Sequence, residues 1–238
     1  KMNVLITICA RGGSKGIPMK NIVKVGGEHL ISYSIETAKK LFPGLNTKIV
    51  ISTDNEKIKE VAELHGIVSD YTRPEDLSRD ETSKVKTIKH LVDFYEAKDK
   101  IKYNYIIDLD VSSPIRTVSD IKKAFEMLKS NKTALNLFSV SPSKKSPYYN
   151  IVEKKRNGYY GLVVSNKKKY TSRQKTPKTF DMNASFYLYR RNFFNLGLES
   201  PITNKSMIYE MDHICFDVDD FYDLEYLEYL VVNKKIKI

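Results

Sequence analysis

Short apolar runs alternate along the chain with longer stretches in which apolar residues return every three or four positions. Asn3–Cys9, Lys48–Ser52, Tyr105–Asp110 and Ala134–Val140 are of the first kind, bounded by polar residues, and are predicted as buried strands. Leu30–Leu41, Glu56–His65, Ser83–Ala97 and Val118–Asn131 are of the second kind and are predicted as helices; Ile121, Ala124, Phe125 and Leu128 share one face of the last. Strands that alternate with helical crossovers pair in parallel. The expected fold is therefore α/β, an open, mostly parallel sheet with helices on both faces. Ligands of such sheets lie beyond the carboxyl ends of the strands. Three polar clusters fall at those ends: Arg11–Asn21, Thr53-Asp54 and Asp108–Arg116.

The rhythm breaks between Tyr148 and Lys178. Asn150–Glu153 and Tyr159–Val164 flank Arg156-Asn157-Gly158, whose Asn-Gly pair predicts a two-residue hairpin turn. A hairpin that protrudes from an α/β domain serves as a dimerisation arm or a lid, so 141–180 is read as such a subregion within a single domain spanning 1–238. The chain is expected to return to the sheet at Ala184–Arg190 and His213–Phe216. It then closes with a helix over Asp220–Asn233, in which Phe221, Leu224, Leu227 and Leu230 face inward.

Composition narrows the class. The 238 residues are 41% hydrophobic, enough for one sizeable core. No apolar run approaches the roughly 20 residues that cross a bilayer, and no secretory signal is read at the N-terminus. Cys9 and Cys215 are the only cysteines, too few for a disulfide framework or a zinc site, and fit reduced core positions in a cytoplasmic protein. The formal net charge of +11 raises the possibility of a polyanionic partner. The lysines are scattered, however, with one local run at Asn166–Tyr170. A nucleic-acid-binding module would interleave aromatic platforms with its cations; Tyr159, Tyr160 and Tyr170 beside Lys167–Lys169 supply only a thin version. An anionic small substrate is the sharper expectation, with no nucleic acid and no membrane as partner.

The first polar cluster, Ala10-Arg-Gly-Gly-Ser-Lys-Gly-Ile-Pro-Met-Lys-Asn21, follows the first strand. A glycine-rich turn there lets backbone N–H groups converge on an anion, and Arg11, Lys15 and Lys20 add positive charge. The spacing is neither that of a P-loop nor of a dinucleotide-binding turn. A nucleotide phosphate is the expected ligand of Arg11, Gly12, Gly13, Ser14, Lys15, Lys20 and Asn21. Near the other end of the chain, Asp217 and Asp219 follow an apolar run. Hard carboxylates there suit Mg²⁺, which takes oxygen ligands; alternatively Asp219 and Asp220 cap the final helix. Arg116 is expected to pair with a buried acid and orient its loop, and Asp54 to cap the helix near Glu56. His29, His65, His90 and His213 show no sequence partners and read as surface or core residues.

These segments together resemble the CMP-sialic acid synthetase family, cytidylyltransferases that activate nonulosonic acids. The carriers are Ala10–Asn21, Val50–Asp54, Arg73–Ser83, Ser112-Ser-Pro-Ile-Arg116, Arg173-Gln174 and Phe216-Asp-Val-Asp219, in family order nearly end to end. The resemblance implies a nucleotide-diphospho-sugar transferase-like fold and a Mg²⁺-dependent homodimer. It also implies transfer of CMP from CTP to the anomeric hydroxyl of an acidic nine-carbon sugar, with release of pyrophosphate. It makes Arg11, Lys20, Asp217 and Asp219 catalytic, with Asp217 and Asp219 on the metal. Arg73 and Ser83 would hold base and ribose. Asp110, Ser112, Arg173, Gln174, Asp181 and Asn183 would face the sugar.

Two positions depart from the sialate pattern. Asp110 stands where the family carries a glutamine, and Asp181 where it carries a carboxylate-binding arginine. Two added acids would repel an acidic sugar unless other charges compensate. The combination of Asp108-Leu-Asp110 with Asp181-Met-Asn-Ala-Ser-Phe-Tyr187 is more similar to the bacterial subgroup that activates legionaminic acid and related sugars. Asp110 could instead hold a second Mg²⁺. An eight-carbon keto acid of the Kdo type is the enzymatic alternative.

Overall fold

The computed structural model describes residues 2–165 and 169–238, so most of the lysine run at Asn166–Tyr170 lies outside the described residues. Six strands form the main sheet. They are β1 (Asn3–Cys9), β4 (Asn46–Ser52), β5 (Tyr105–Leu109), β6 (Asn136–Pro142), β9 (Phe180–Arg190) and β10 (Ser206–Glu210), in the order β10-β6-β9-β5-β1-β4. β1 pairs in parallel with both β4 and β5, and β10 in parallel with β6. β9 runs antiparallel between β5 and β6. That reversal brings the start of β9 to the same sheet edge as the carboxyl ends of its neighbours, with Asp181 opposite Ser141.

Alternation along the strands divides the core in two. Val4, Ile6 and Ile8 of β1 pack on one face with α1 (Leu30–Lys39), α2 (Glu56–Leu64), α4 (Val118–Ser130) and α5 (Phe221–Val232), through Ile31, Ile35, Ile58, Phe125 and Leu227. Leu5 and Ile106 face the other way, onto α3 (Lys84–Asp99) through Ile88, Leu91, Val92 and Tyr95. Helices thus cover both faces, as the strand–helix alternation implies. Burial on both faces is why β1 and β5 are continuous apolar runs rather than alternating ones.

The structure corrects the sequence reading at His213–Phe216. The edge strand is β10, and its ladder closes where Met211 N–H donates to Val140 O at 2.9 Å. Beyond it the chain leaves the sheet. The His213 Nε2 lies 3.0 Å from Asp120 Oδ2, and Val218 N–H donates to Ser112 O at 2.8 Å. The segment Ile214–Val218 therefore crosses the strand ends instead of joining them. Cys215 sits in this crossing and not in a strand, while Cys9 closes β1; both are free thiols.

Between β6 and β9, β7 (Val152–Lys154) and β8 (Tyr160–Leu162) form the expected hairpin. Its turn has three residues, not two: Lys155 N–H donates to Tyr159 O and Gly158 N–H to Lys155 O. The tighter turn needs positive φ at both central residues, and here only Gly158, at +85°, adopts it. A small additional ribbon, β2 (Lys24–Val25) with β3 (Glu28–His29), leads into α1.

Candidate active site

The loop after β1 is shaped by three contacts. Asn21 Nδ2 donates to Arg11 O at 2.8 Å, drawing its two ends together. Gly12 N–H donates to Asp54 Oδ1 at 2.8 Å. A Cβ on Gly16 would lie 2.0 Å from Asp219 O, so only glycine permits the loop to press against the crossing segment. These contacts amend two expectations. Asp54 fastens the glycine turn, and Asn55 caps α2 by accepting from Ile58 N–H. The Gly12 N–H is already taken by a carboxylate, and the loop turns its cationic side chains toward open space.

Those side chains line a cleft of about 400 Å³ together with Ser14, Asn21, Arg73, Asp110, Ser112 and Asp219. Asp80 sits between two of them. Its carboxylate accepts from Arg11 Nη1 at 2.5 Å and pairs with Lys15 through its other oxygen, and these two partners, Lys15 foremost, hold its carboxyl below the usual range. Lys20 Nζ donates to Val218 O at 2.5 Å and stands 3.8 Å from Asp219 Oδ1, tying the loop to the crossing segment. Arg73 is buried and spends Nε and Nη2 on Ser52, at 2.9 and 2.8 Å.

Asp217 and Asp219 look into different spaces. Asp219 lines the cationic cleft and its side chain is 78% exposed. Asp217 lines a second cleft of about 480 Å³ with Asp181, Asn183, Lys144 and Lys145. The capping alternative belongs to Asp220 alone, which accepts from Tyr222 and Asp223 N–H at the start of α5. Asp217 Oδ1 is buried without a hydrogen-bond partner. Burial first, then the charges of Asp110 and Asp219, push its carboxyl up to about 6. An orphaned carboxylate oxygen under the charge of two other acids is a group that a divalent cation relieves, and carboxylate oxygens are the donors Mg²⁺ takes. Among the described residues, three metal-capable side chains have ligand atoms within 4.8 Å of one another at Asp120, Asp212 and His213. There Asp120 already accepts from Thr117, Tyr209 and His213, a saturated arrangement that braces the crossing. Both His213 ring nitrogens face oxygens, Asp120 Oδ2 and Ile214 O, so its place is a structural one. Burial opposes its charge, but the hydrogen bond to Asp120 and that to Ile214 O raise its pKa.

Other expected site residues fall outside the cationic cleft. Ser83 caps α3, accepting from Val85 N–H at 3.2 Å while donating to Glu199 O. Arg173 and Gln174 line a third hollow of about 330 Å³, with Arg173 Nη1 donating to the carbonyls of Ser143 and Lys144. Asp181 accepts from Ser143 Oγ, and Asn183 bonds Ser139 and Ser141. Arg116 is fully buried, yet its partners are the carbonyls of Asp110, Ser113 and Ser185 and the Ser34 hydroxyl rather than an acid. Burial lowers its pKa to about 10.

The match to known proteins follows this geometry. Residues 5–236 fit the family model described as Cytidylyltransferase. The chain belongs to the cytidylyltransferase family. It is 38% identical to "Post-translational flagellin modification protein B" of Campylobacter coli, covering 98% of this chain and 97% of the other. It is 37% identical, over the same shares, to the CMP-N,N'-diacetyllegionaminic acid synthase of Campylobacter jejuni. Among solved structures, CMP:2-keto-3-deoxy-manno-octonic acid synthetase with CTP superposes with a TM-score of 0.71 at 16% identity. That match covers 98% of this chain and 99% of the other. The enzyme is thus a nucleotidyltransferase on a nucleotide-sugar transferase fold, and no helix among its described residues is long and apolar enough to cross a membrane.

For a cytidylyltransferase the residue that sequence reasoning missed is Lys84. It lines the cationic cleft with its Nζ 2.5 Å from Asp110 Oδ2 and 2.8 Å from Asp108 Oδ2. Burial works against its charge, but the two carboxylates raise its pKa well above the ordinary value. One signal was available: a lysine directly after a serine cap sits at the positive end of the helix dipole and needs acids to hold it there.

Proposed function

We propose that the enzyme transfers CMP from CTP to the anomeric hydroxyl of an acidic nine-carbon sugar of the legionaminic type, releasing pyrophosphate. The observation that carries this reading is the crossing segment 217–219, whose two acids face a cationic cleft on one side and a second cleft on the other. Arg11, Lys15 and Lys20 receive the triphosphate, with Arg11 and Lys20 stabilising the charge that grows on the leaving pyrophosphate. Arg73 lines the base end of the cleft. Gly12, Gly13, Ser14 and Asn21 shape the loop, and Ser83 anchors the helix behind it. The sugar occupies the second cleft, against Asp181 and Asn183, and reaches past Ser112 to Asp110 in the wall of the first, with Arg173-Gln174 bordering it. Asp217 and Asp219 would hold Mg²⁺, which when bound supplies positive charge to the phosphates. Lys144 and Lys145 offer the sugar carboxylate its cations, which fits Asp181 standing where the sialate pattern has arginine. The curated relative named for N,N'-diacetyllegionaminic acid, at 37% identity over nearly the full chain, supports the choice of sugar.

The β7–β8 hairpin, with Tyr159 and Tyr160 77% and 71% exposed, supports a homodimer in which this arm reaches the other subunit. Two free thiols suit a reducing cytoplasm. The test supplies CTP, Mg²⁺ and a panel of legionaminic, pseudaminic, neuraminic and Kdo acids and follows pyrophosphate. Turnover is expected to be fastest with a diamino nine-carbon acid. A preference for Kdo moves the assignment to eight-carbon sugars; no turnover by the folded protein overturns it.

A further inference from the structure

Lys84 is the cation that the strand wall of the cleft holds, apart from those of the glycine loop and from Arg73 and Arg79. Three contacts fix its ammonium. It donates to Asp110 Oδ2 at 2.5 Å, stands 2.8 Å from Asp108 Oδ2 as an ion pair without hydrogen-bond alignment, and lies 5.1 Å above the Tyr187 ring. Both acids are held independently. Thr7 Oγ1 donates to Asp108 Oδ1 at 2.7 Å, and Ser112 N–H donates to Asp110 Oδ1 at 2.8 Å. Asp108 is wholly buried, whereas the Asp110 and Lys84 side chains are 20% and 34% exposed. What faces the cleft is therefore the Asp110–Lys84 edge. It comprises one carboxylate oxygen with a lone pair to spare and one ammonium with an unspent N–H.

We infer that Lys84 and Asp110 act as a single donor–acceptor pair that reads a neutral hydrogen-bonding group of the acceptor sugar, and that Lys84 is a specificity-determining residue of the reaction. This rests on the function proposed above. A hydroxyl or acylamino group both gives and takes a hydrogen bond, so it satisfies Asp110 and Lys84 together. A carboxylate can only accept and is turned away by Asp110. Without Lys84 the wall would carry two uncompensated acids, with Asp217 adding a third charge close enough to be shifted by Asp110. An acidic sugar would then meet repulsion wherever it approached Ser112. Lys84 removes that obstacle while leaving Asp110 ionised and pinned.

The inference is tested by the Michaelis constants for CTP and for the best acid of the panel, measured in wild type, Lys84→Met, Asp110→Asn and the double variant. Removing one charged partner of a paired hydrogen-bonding edge is expected to raise the sugar KM about tenfold or more in Lys84→Met. The CTP KM should stay within about threefold. An Asn amide carries both a donor and an acceptor, so the double variant should recover a sugar KM within roughly threefold of wild type. If Lys84→Met does not fold, the double variant decides alone, against Asp110→Asn. Loss of stability in Lys84→Met is expected on either account; a double variant that regains stability without regaining the sugar KM marks a purely structural lysine and overturns the inference. So does a rise confined to the CTP KM. Wild-type protein that binds CTP but turns over none of the acids overturns the function reading itself, and this inference with it.

Discussion

The two walls of the cationic cleft are neutralised in opposite ways. On the loop wall, Arg11 and Lys15 share one acid, Asp80, and all three lie at the surface, with Lys15 80% exposed. On the strand wall, Asp108 and Asp110 share one cation, Lys84, and the most deeply placed member is a fully buried carboxylate. An exposed pair is held weakly because water and salt compete for it. A buried pair that loses one partner leaves a charge water cannot reach. The loop wall is thus built to exchange its internal anion for a ligand's phosphates, and the strand wall to keep its geometry through the reaction.

Three substitutions separate the walls. The largest effect is expected in the crossing segment between this cleft and the second, where Asp217→Asn should lower kcat by about a hundredfold or more through loss of the metal-binding charge. The same change should stabilise the ligand-free protein. A carboxyl whose pKa is raised by folding, here from 3.8 to about 6, holds its proton more tightly in the folded chain than in the unfolded one. Its ionisation therefore costs stability, lost as pH rises from about 4 through about 6 and absent from the Asn variant. Melting curves between pH 4 and 8 should show the wild type falling relative to Asp217→Asn across that window. Added Mg²⁺ should recover the difference in wild type only. Parallel curves would contradict the assignment of Asp217.

On the strand wall, Lys84→Met should cost about 3 kcal/mol of stability, at the low end for a broken buried pair because the lysine is partly exposed, and denaturant unfolding would read it. The smallest effect belongs to the loop wall. Asp80→Asn should leave the denaturant midpoint nearly unchanged, since its pairs are exposed. It should also lower the KM for CTP a fewfold at low salt, because the triphosphate no longer displaces a resident carboxylate. A weaker CTP affinity in Asp80→Asn would reverse the roles assigned to the two walls.

This contrast also explains which parts of the molecule could be read from the chain. β1, β5 and the helices were legible because burial on both faces of a central strand, or on one face of a helix, writes itself into local periodicity. The Arg11–Lys20 wall was legible because its cations are contiguous. The Lys84–Asp108–Asp110 wall was not, since it joins residues 24 and 26 apart whose pairing depends on how α3 lands against β5. Asp80 stood inside a recognised motif, but its role needed Arg11, 69 positions away. His213–Phe216 was misread as a strand because an apolar run that crosses buried strand ends has the same composition as one within the sheet. The ladder is lost at His213, where the imidazole turns to Asp120, and no local pattern announces that partner.

The most direct measurement is mass-spectrometric detection of the CMP-linked product from CTP, Mg²⁺ and N,N'-diacetyllegionaminic acid, run in parallel with wild type and Lys20→Ala. The account predicts a CMP-sugar and stoichiometric pyrophosphate with wild type, and a rate about a hundredfold lower without the Lys20 ammonium. Folded wild-type enzyme that binds CTP yet forms no CMP-linked sugar, or a Lys20→Ala enzyme as fast as wild type, would contradict it.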